Sequence, residues 1–230
     1  MIEAILPPEA IAEEAFHDPP GVALFPEEEA VIARAVDKRR REFTTARACA
    51  RAALARLGLP PVPIVPGLRG APQWPEGVVG SMTHCDGYRA CAVARDRDLL
   101  TIGVDAEAHD KLPDGLLGSV SSPEERRRLA ALAAVAPGRH WDRVLFSAKE
   151  SVYKAWFPLT RRWLGFEDAS VTIDAANGTF TARLLVGGPH VAGTPLTGFT
   201  GRWLVDGGLI ITAIAVPSAQ GAGQHANSDG

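Results

Sequence analysis

The sequence has 230 residues, of which 46% are hydrophobic and 22% are charged, and its formal net charge is −3. These values are ordinary for a globular protein and allow one large domain or two small ones. The slightly acidic balance argues against a general nucleic-acid-binding protein, whose surface would be basic. The three cysteines have no zinc-ligand spacing, so we expect reduced intracellular thiols. We find no secretory signal and no apolar run long enough to cross a bilayer, and therefore expect a cytoplasmic protein.

Helical and strand-type patterns alternate along the chain. Apolar residues at spacings of three and four predict helices, whereas alternating runs predict strands. In chain order we predict helices over 7–15, 26–35 and 37–57, strands over 78–82, 88–94 and 99–104, helices from 122 onward and over 141–157, and strands over 170–174, 179–185, 202–206 and 209–216. The pattern predicts an α+β fold of two halves, residues 1–103 and 104–217, with a disordered tail over 218–230.

Two acidic residues lie where an apolar predicted strand ends. Asp105 and Glu107 follow the run Leu100-Thr-Ile-Gly-Val104. Residues two apart in a strand point to the same face, with Cα atoms about 6.5 to 7 Å apart. Both carboxylates can therefore reach one metal ion. A solvated strand end is the alternative explanation for the same pair.

A third acidic residue shares one face of a predicted helix with a lysine. Glu150 and Lys154 are four residues apart, and the opposite face of the helix is apolar. A surface ion pair is one explanation. The aromatic neighbours Phe146, Tyr153 and Trp156 argue instead that this helix is not freely exposed to solvent.

Three carboxylates and one amine suit a divalent cation that binds a phosphate ester. Magnesium takes one or two carboxylates together with water and phosphate oxygens. Asp105, Glu107 and Glu150 would supply the carboxylates, and Lys154 would face a phosphate oxygen, not another carboxylate. The chain has neither a Walker loop nor a G-x-G-x-x-G sequence, so the phosphates are not bound by the ordinary nucleotide loops.

Further candidate phosphate contacts are basic side chains. His84 follows a predicted short strand, between a loop that carries Arg69 and the strands that lead to Asp105. A purely structural histidine is the alternative. Arg39 and Arg47 belong to an arginine-dense predicted helix, and we expect most arginines of that helix to be solvated because they cannot all share one pocket.

Three segments, in this order, resemble the Sfp-type 4'-phosphopantetheinyl transferases. They are Arg69-Gly70 with Ser81-Met-Thr-His84, then Gly103-Val-Asp-Ala-Glu107, and about forty residues later Phe146-Ser-Ala-Lys-Glu-Ser-Val-Tyr-Lys154. Each segment alone has little specificity, but their order and spacing are specific to this family. The segment from Lys154 to Glu167 resembles in particular the enterobactin-synthase and actinobacterial enzymes.

The resemblance implies a pseudo-dimeric fold of two similar α+β halves with coenzyme A bound between them. It implies an enzyme that transfers the 4'-phosphopantetheine arm of coenzyme A to a serine of an acyl or peptidyl carrier protein. Mg²⁺ would be the cofactor and 3',5'-ADP the second product. Such carriers belong to polyketide, non-ribosomal peptide or siderophore synthases. Because both halves lie in one chain, we expect a monomer that requires neither nucleic acid nor a membrane.

The resemblance also implies roles for individual residues. Asp105, Glu107 and Glu150 match magnesium ligands, and Glu150 also matches the general base. The implied coenzyme A contacts are Arg39, Arg47, Arg69, His84 and Lys154, of which Lys154 is also a catalytic contact of the pyrophosphate. We expect Glu150→Gln or Asp105→Ala to abolish transfer without unfolding the protein.

The segment that follows the predicted helix over 141–157 offers candidates for carrier docking. The carrier is expected to meet a basic and apolar rim, for which the candidates are Arg161, Arg162, Trp163 and Leu164. The alternative is that Trp163 and Leu164 merely cap the core.

Two other functions are alternatives to the transferase. A magnesium-dependent phosphohydrolase of a nucleotide or pyrophosphate would use the same ligands without a carrier. A non-catalytic module that binds coenzyme A or a carrier would show binding without turnover.

Overall fold

The computed structural model describes residues 1–191 and 193–218, and most of the predicted helices and strands are present. In chain order they are β1 (Ile11–Ala15), α1 (Pro26–Ile32), α2 (Asp37–Arg56), β2 (Val78–Cys85), β3 (Tyr88–Arg95), β4 (Leu99–Ala108), α3 (Leu116–Val120), α4 (Pro123–Val135), α5 (Trp141–Thr160), β5 (Ala169–Asp174), β6 (Thr179–Leu184), β7 (His190–Val191), β8 (Thr194–Pro195), β9 (Gly198–Asp206) and β10 (Leu209–Pro217). The predicted disordered tail lies outside the described residues, except for Ser218. No described helix is both long and apolar enough for a membrane span.

The predicted helix over 7–15 is wrong. Ile11–Ala15 is a strand that pairs antiparallel with β3, and Ala12 is buried against the core. The alanines and glutamates of this segment have helical propensity, but strand pairing and burial outweigh a preference of that size.

The predicted end of the helix over 141–157 is also wrong, because α5 continues through Pro158 to Thr160. Proline has no N–H to donate to the carbonyl four residues earlier, so Pro158 removes one bond of the helix, and α5 ends two residues later. Arg161 then ends the helix in a left-handed conformation, and its N–H donates to the carbonyl of Phe157. The short helix α3 and the two-residue strands β7 and β8 were not predicted.

The longer strands form two antiparallel sheets, each with one long helix on it. The first sheet has the order β1-β3-β2, and α2 packs on β3 and β1. The second has the order β4-β10-β9-β6-β5, and α5 packs on β4 and β10. The predicted α+β fold of two halves is confirmed. Strand β4 runs across the predicted boundary at residues 103 and 104 and belongs entirely to the second sheet.

Side-chain hydroxyls join the two sheets along β2 and β4. The backbone N–H of Val104 donates to Oγ of Ser81 at 3.1 Å, and the N–H of Ala106 donates to Oγ1 of Thr83 at 2.9 Å. Both hydroxyls are buried, so each satisfies a backbone donor that water cannot reach. This seam fixes the first sheet against the strand that carries Asp105.

Helix α5 approaches β4 most closely at Gly103. A Cβ atom placed there would overlap the carbonyl oxygen of Ser151 and lie 2.7 Å from the backbone nitrogen of Ala155. Thr101 supports the same contact, because its hydroxyl donates to the carbonyl of Ala155 at 2.9 Å. The glycine thus allows the helix that carries Glu150 to pack directly on the strand that carries Asp105.

Gly103→Ala is therefore expected to destabilise the protein by about 3 kcal/mol, and to lower the melting temperature by roughly 6 to 12 °C, because the added methyl has no space to move into. Denaturant unfolding followed by circular dichroism measures the effect. Gly118→Ala is the matched control, since nothing lies within 4 Å of its Cβ position. Equal stability of the two variants would contradict the close approach.

Candidate active site

A cavity of about 540 Å³ lies between β2, the loop over 69–74 and the C-terminal half of α5. Its walls combine apolar side chains such as Val79, Met82 and Phe157 with the charged side chains of Glu150 and Lys154. A volume of this size and a mainly apolar lining with a few polar groups are typical of small-molecule sites. The cavity therefore brings three of the predicted site residues together, namely Glu150, Lys154 and Arg69.

Asp105 and Lys154 form an ion pair next to the cavity. The ammonium of Lys154 donates to Oδ1 of Asp105 at 2.7 Å and to the carbonyl of Val104 at 2.9 Å. The expectation that Lys154 would not face a carboxylate is wrong in this structure. Oδ1 also accepts from Thr83 at 3.3 Å, whereas the buried Oδ2 has no hydrogen-bond partner among the described residues. Because Asp105 is 5% exposed, it is not a solvated strand end.

Glu107 pairs with Arg143, a residue that was not among the predicted site residues. Its carboxylate accepts from Arg143 of α5 at 3.0 Å. Burial, with the nearby negative charge of Asp105, raises the pKa of Glu107 to about 6, although Arg143 opposes the shift. Arg143 precedes Glu150 by seven residues, which is two helical turns on the same face, so the sequence did contain a signal for it.

Glu150 is half-buried, and its carboxylate forms no hydrogen bond or ion pair with another residue of 1–191 and 193–218. Burial raises its pKa, the negative charge of Asp105 raises it further, and Lys154 opposes the shift. The alternative of a Glu150–Lys154 surface ion pair is therefore not observed. A carboxylate with a raised pKa and no partner is suited to accept a proton.

Of the three predicted metal ligands, Asp105 lies near each of the other two, but the three do not form a metal-binding group. Within the described ranges, no group of three or more histidine, cysteine, aspartate or glutamate side chains is arranged to bind a metal ion. Asp105 nevertheless raises the pKa of both Glu107 and Glu150, so its charge is close to each of them. Glu107 stands apart because it pairs with Arg143.

The structure brings His84 and Arg39 together at one end of α2. His84 lies within β2 and not after it, and its Nε2 is 3.1 Å from Nη1 of Arg39 and 3.5 Å from Oε2 of Glu42. Burial lowers the pKa of His84, while Glu42 opposes the shift. The side chain of His84 is 41% exposed, so it can still contact a ligand.

Arg47 lies deeper on the same helix. Its Nε donates to the carbonyl of Ile64 at 3.2 Å, and its guanidinium carbon is 3.4 Å from the centre of the Phe43 ring. Burial lowers its pKa to about 10. Arg69 contacts a different part of the structure. It lines the cavity, and its guanidinium lies 5.0 Å from the centre of the Trp163 ring.

The four candidate carrier contacts after α5 divide into two pairs. Arg161 lines the cavity and Trp163 is 59% exposed. Arg162 instead donates to the carbonyl of Gly187 and lies over the ring of Trp156, while Leu164 is buried in the core. The core-capping alternative therefore holds for Leu164 and not for Trp163.

A buried ion pair between Lys149 and Glu125 was not predicted from the sequence. The ammonium of Lys149 donates to Glu125 at 3.0 Å and to the carbonyl of Phe166 at 2.7 Å, and both charged side chains are at most 3% exposed. The other oxygen of Glu125 accepts from the backbone of Val171. This network joins α4, α5 and β5, and Lys149 precedes Glu150 in the chain, so it fixes the helix that carries the predicted base.

Lys149→Met is expected to destabilise the protein by about 3–5 kcal/mol, because it leaves the charge of Glu125 buried and unpaired. Denaturant unfolding provides the measurement. The double variant Lys149→Met/Glu125→Gln removes both charges and should recover part of this loss. A double variant no more stable than Lys149→Met would show that the unpaired charge is not the cause.

Comparison with known proteins identifies a family for this chain. Residues 27–94 match the family model described as the 4'-phosphopantetheinyl transferase N-terminal domain, and residues 101–193 match that of the 4'-phosphopantetheinyl transferase superfamily. The chain is 58% identical to 4'-phosphopantetheinyl transferase Svp of Streptomyces mobaraensis, over 100% of this chain and 98% of that protein. It is 54% identical to Npt of Nocardia iowensis and 48% identical to PptT of Mycobacterium tuberculosis, both named 4'-phosphopantetheinyl transferases. Each alignment covers 94% of this chain, with 99% of Npt and 98% of PptT.

Two family models cover more than half of the chain, and relatives of 48% identity or more align over nearly its whole length. The resemblance in the three sequence segments is thereby confirmed. The chain belongs to the 4'-phosphopantetheinyl transferase superfamily.

Proposed function

We propose that this enzyme transfers the 4'-phosphopantetheine arm of coenzyme A to a serine hydroxyl of acyl or peptidyl carrier proteins, and releases 3',5'-ADP. The carriers would serve polyketide, non-ribosomal peptide or siderophore synthases. One observation carries the proposal: the Glu150 carboxylate, which is unpaired within the part of the chain that the structure describes, lines the same cavity as Lys154 of the Lys154–Asp105 pair. A base and a cation in one cavity suit the transfer of a phosphoryl-linked group to a hydroxyl.

Glu150 is proposed as the general base. A serine hydroxyl is a weak nucleophile at neutral pH and requires a positioned base. Glu150 takes the proton of the hydroxyl as the serine oxygen forms a bond to the phosphorus that carries the pantetheine arm. The bond from that phosphorus to the bridging oxygen breaks, and this oxygen leaves with 3',5'-ADP. Lys154 provides positive charge next to the oxygen that gains negative charge.

We propose that Asp105, Glu107 and Glu150 bind Mg²⁺. The buried Oδ2 of Asp105 supports this, because an oxygen atom without a hydrogen-bond partner in the protein's interior fits a metal ligand. When bound, Mg²⁺ would neutralise negative charge on the diphosphate. Glu107 would have to exchange Arg143 for the cation, whereas the carboxylate of Glu150 has no partner to give up among residues 1–191 and 193–218.

The coenzyme A contacts follow from the basic residues near α2 and β2. Arg39 and His84 are adjacent and exposed enough to contact coenzyme A, Arg39 at the 3'-phosphate and His84 at the diphosphate, and Arg47 follows on α2 as a further candidate for the 3'-phosphate. Lys154 would contact the diphosphate. The apolar part of the cavity, with Val79, is suited to the pantetheine arm in shape and polarity.

Carrier loading tests the proposal. The enzyme, coenzyme A, Mg²⁺ and an apo carrier protein are incubated, and the intact mass of the carrier is measured. A gain of one phosphopantetheine mass, with one 3',5'-ADP per loaded carrier, is expected. A phosphohydrolase would release products without loading the carrier, and a binding module would show no turnover; either result would overturn the proposal.

We further propose that the enzyme works in the cytoplasm as a monomer. All three cysteines are free thiols, which agrees with a reducing compartment. The cavity is lined by β2 of the first sheet and by α5 of the second, so one chain supplies both walls. Light scattering during size-exclusion chromatography at micromolar concentration would give the monomer mass, and a dimer mass would contradict the second part.

A further inference from the structure

Two arginines with an unusual backbone conformation line the same cavity. Arg69 and Arg161 both have φ of 55°, and in the described part of the chain they are the non-glycine residues with positive φ. This region is unfavourable for residues with a Cβ, and strained residues of this kind cluster at binding and catalytic sites. Both arginines line the cavity that contains Glu150 and Lys154.

Neither of these arginines is neutralised by a carboxylate of the described residues. Among residues 1–191 and 193–218, neither guanidinium forms an ion pair with a carboxylate, in contrast to Arg89 and Arg143. Arg69 lies instead over the ring of Trp163. Two positive charges at the edge of the cavity are therefore available to an external partner.

Exposed apolar side chains lie beside these charges. Leu68 is 60% exposed and precedes Arg69, whereas Trp163 is 59% exposed and follows Arg161 by two residues. Tyr153 of α5 packs on Trp163, with ring centres 5.1 Å apart, so the exposed ring has a fixed support. Aromatic and arginine side chains are the residue types that contribute most at protein interfaces.

We propose that Leu68, Arg69, Arg161 and Trp163, here named the mouth surface, bind the carrier protein. The inference rests on the proposed function, because the acceptor serine must reach Glu150 and the carrier must then cover the cavity that Glu150 lines. The unpaired cations select a carrier face that has carboxylates near its serine, and the two exposed apolar side chains select apolar groups between them. Arg69 is thereby assigned to the carrier and not to coenzyme A.

The test is the double variant Arg69→Gln/Arg161→Gln, assayed by carrier loading. Glutamine keeps a polar side chain, and a positive φ is as unfavourable for glutamine as for arginine, so the substitution mainly removes the charge. The KM for apo carrier should rise about fivefold or more, and its dependence on NaCl concentration should weaken, because rim charges act through long-range attraction. The KM for coenzyme A should stay within about twofold of the wild-type value.

Arg162→Gln is the matched control, since Arg162 has the same charge but contacts Gly187 and Trp156 outside the cavity. It should leave the KM for carrier within about twofold of the wild type. An unchanged KM for carrier in the double variant would overturn the inference. A double variant in which only the KM for coenzyme A rises would also overturn it, because the arginines would then contact the phosphates of coenzyme A. Failure of the wild type to load any carrier would instead overturn the proposed function. Calorimetric coenzyme A binding by the double variant shows that it is folded.

Discussion

Glu150→Gln is expected to lower kcat for carrier loading by a factor on the order of 10² to 10⁴, the usual contribution of a general base. The amide has the shape of the carboxylate but cannot take the proton of the acceptor serine. Because Glu150 has no hydrogen-bond or ion-pair partner in the described structure, the substitution breaks no internal contact. Coenzyme A binding, measured by calorimetry, and the melting temperature should therefore stay close to wild type.

Glu124→Gln is the control for this experiment. Glu124 is an exposed residue of α4 that pairs with Arg128 at the surface, so its loss should not change the loading rate. A Glu150→Gln enzyme that retains more than about a tenth of the wild-type kcat would exclude Glu150 as the base, given the size of effect expected.

Asp105→Ala is expected to reduce carrier loading to the detection limit. Asp105 contacts Lys154, accepts from Thr83 and has a second oxygen available for a cation, so its removal leaves the Lys154 ammonium without its carboxylate and takes away an oxygen that could bind a cation. Loss of a metal ligand should also raise the Mg²⁺ concentration required for half-maximal activity in any remaining turnover. Loading rates measured across a Mg²⁺ titration give both quantities.

Two further variants make the Asp105 result interpretable. Asp105→Asn keeps the size of the side chain, so it should load poorly while its melting temperature stays nearer to wild type than that of Asp105→Ala. Asp86→Ala removes an exposed carboxylate at the β2–β3 turn and should be fully active. Normal loading by Asp105→Ala at ordinary Mg²⁺ concentration would show that the metal assignment is wrong.

Much of the site was predictable because its residues form two pairs, and the members of each pair lie close together within one regular element. Glu150 and Lys154 share a helix face through their spacing of four, and Asp105 and Glu107 share a strand face through their spacing of two. The contacts that these residues make with distant segments were not predictable. Arg143 lies on the same helix as Glu150, but only the packing of α5 on β4 brings it to Glu107.

The amino-acid sequence by itself determined the family, the α+β class and the identity of the acidic and basic residues that line the cavity. These follow from local periodicity and from motif order, which do not require knowledge of distant contacts. Only the tertiary structure decided that residues 11–15 form a strand, that Lys154 pairs with Asp105, and that Arg69 lies over Trp163. Each of these depends on segments far apart in the chain, and burial and pairing energies there outweigh local propensity.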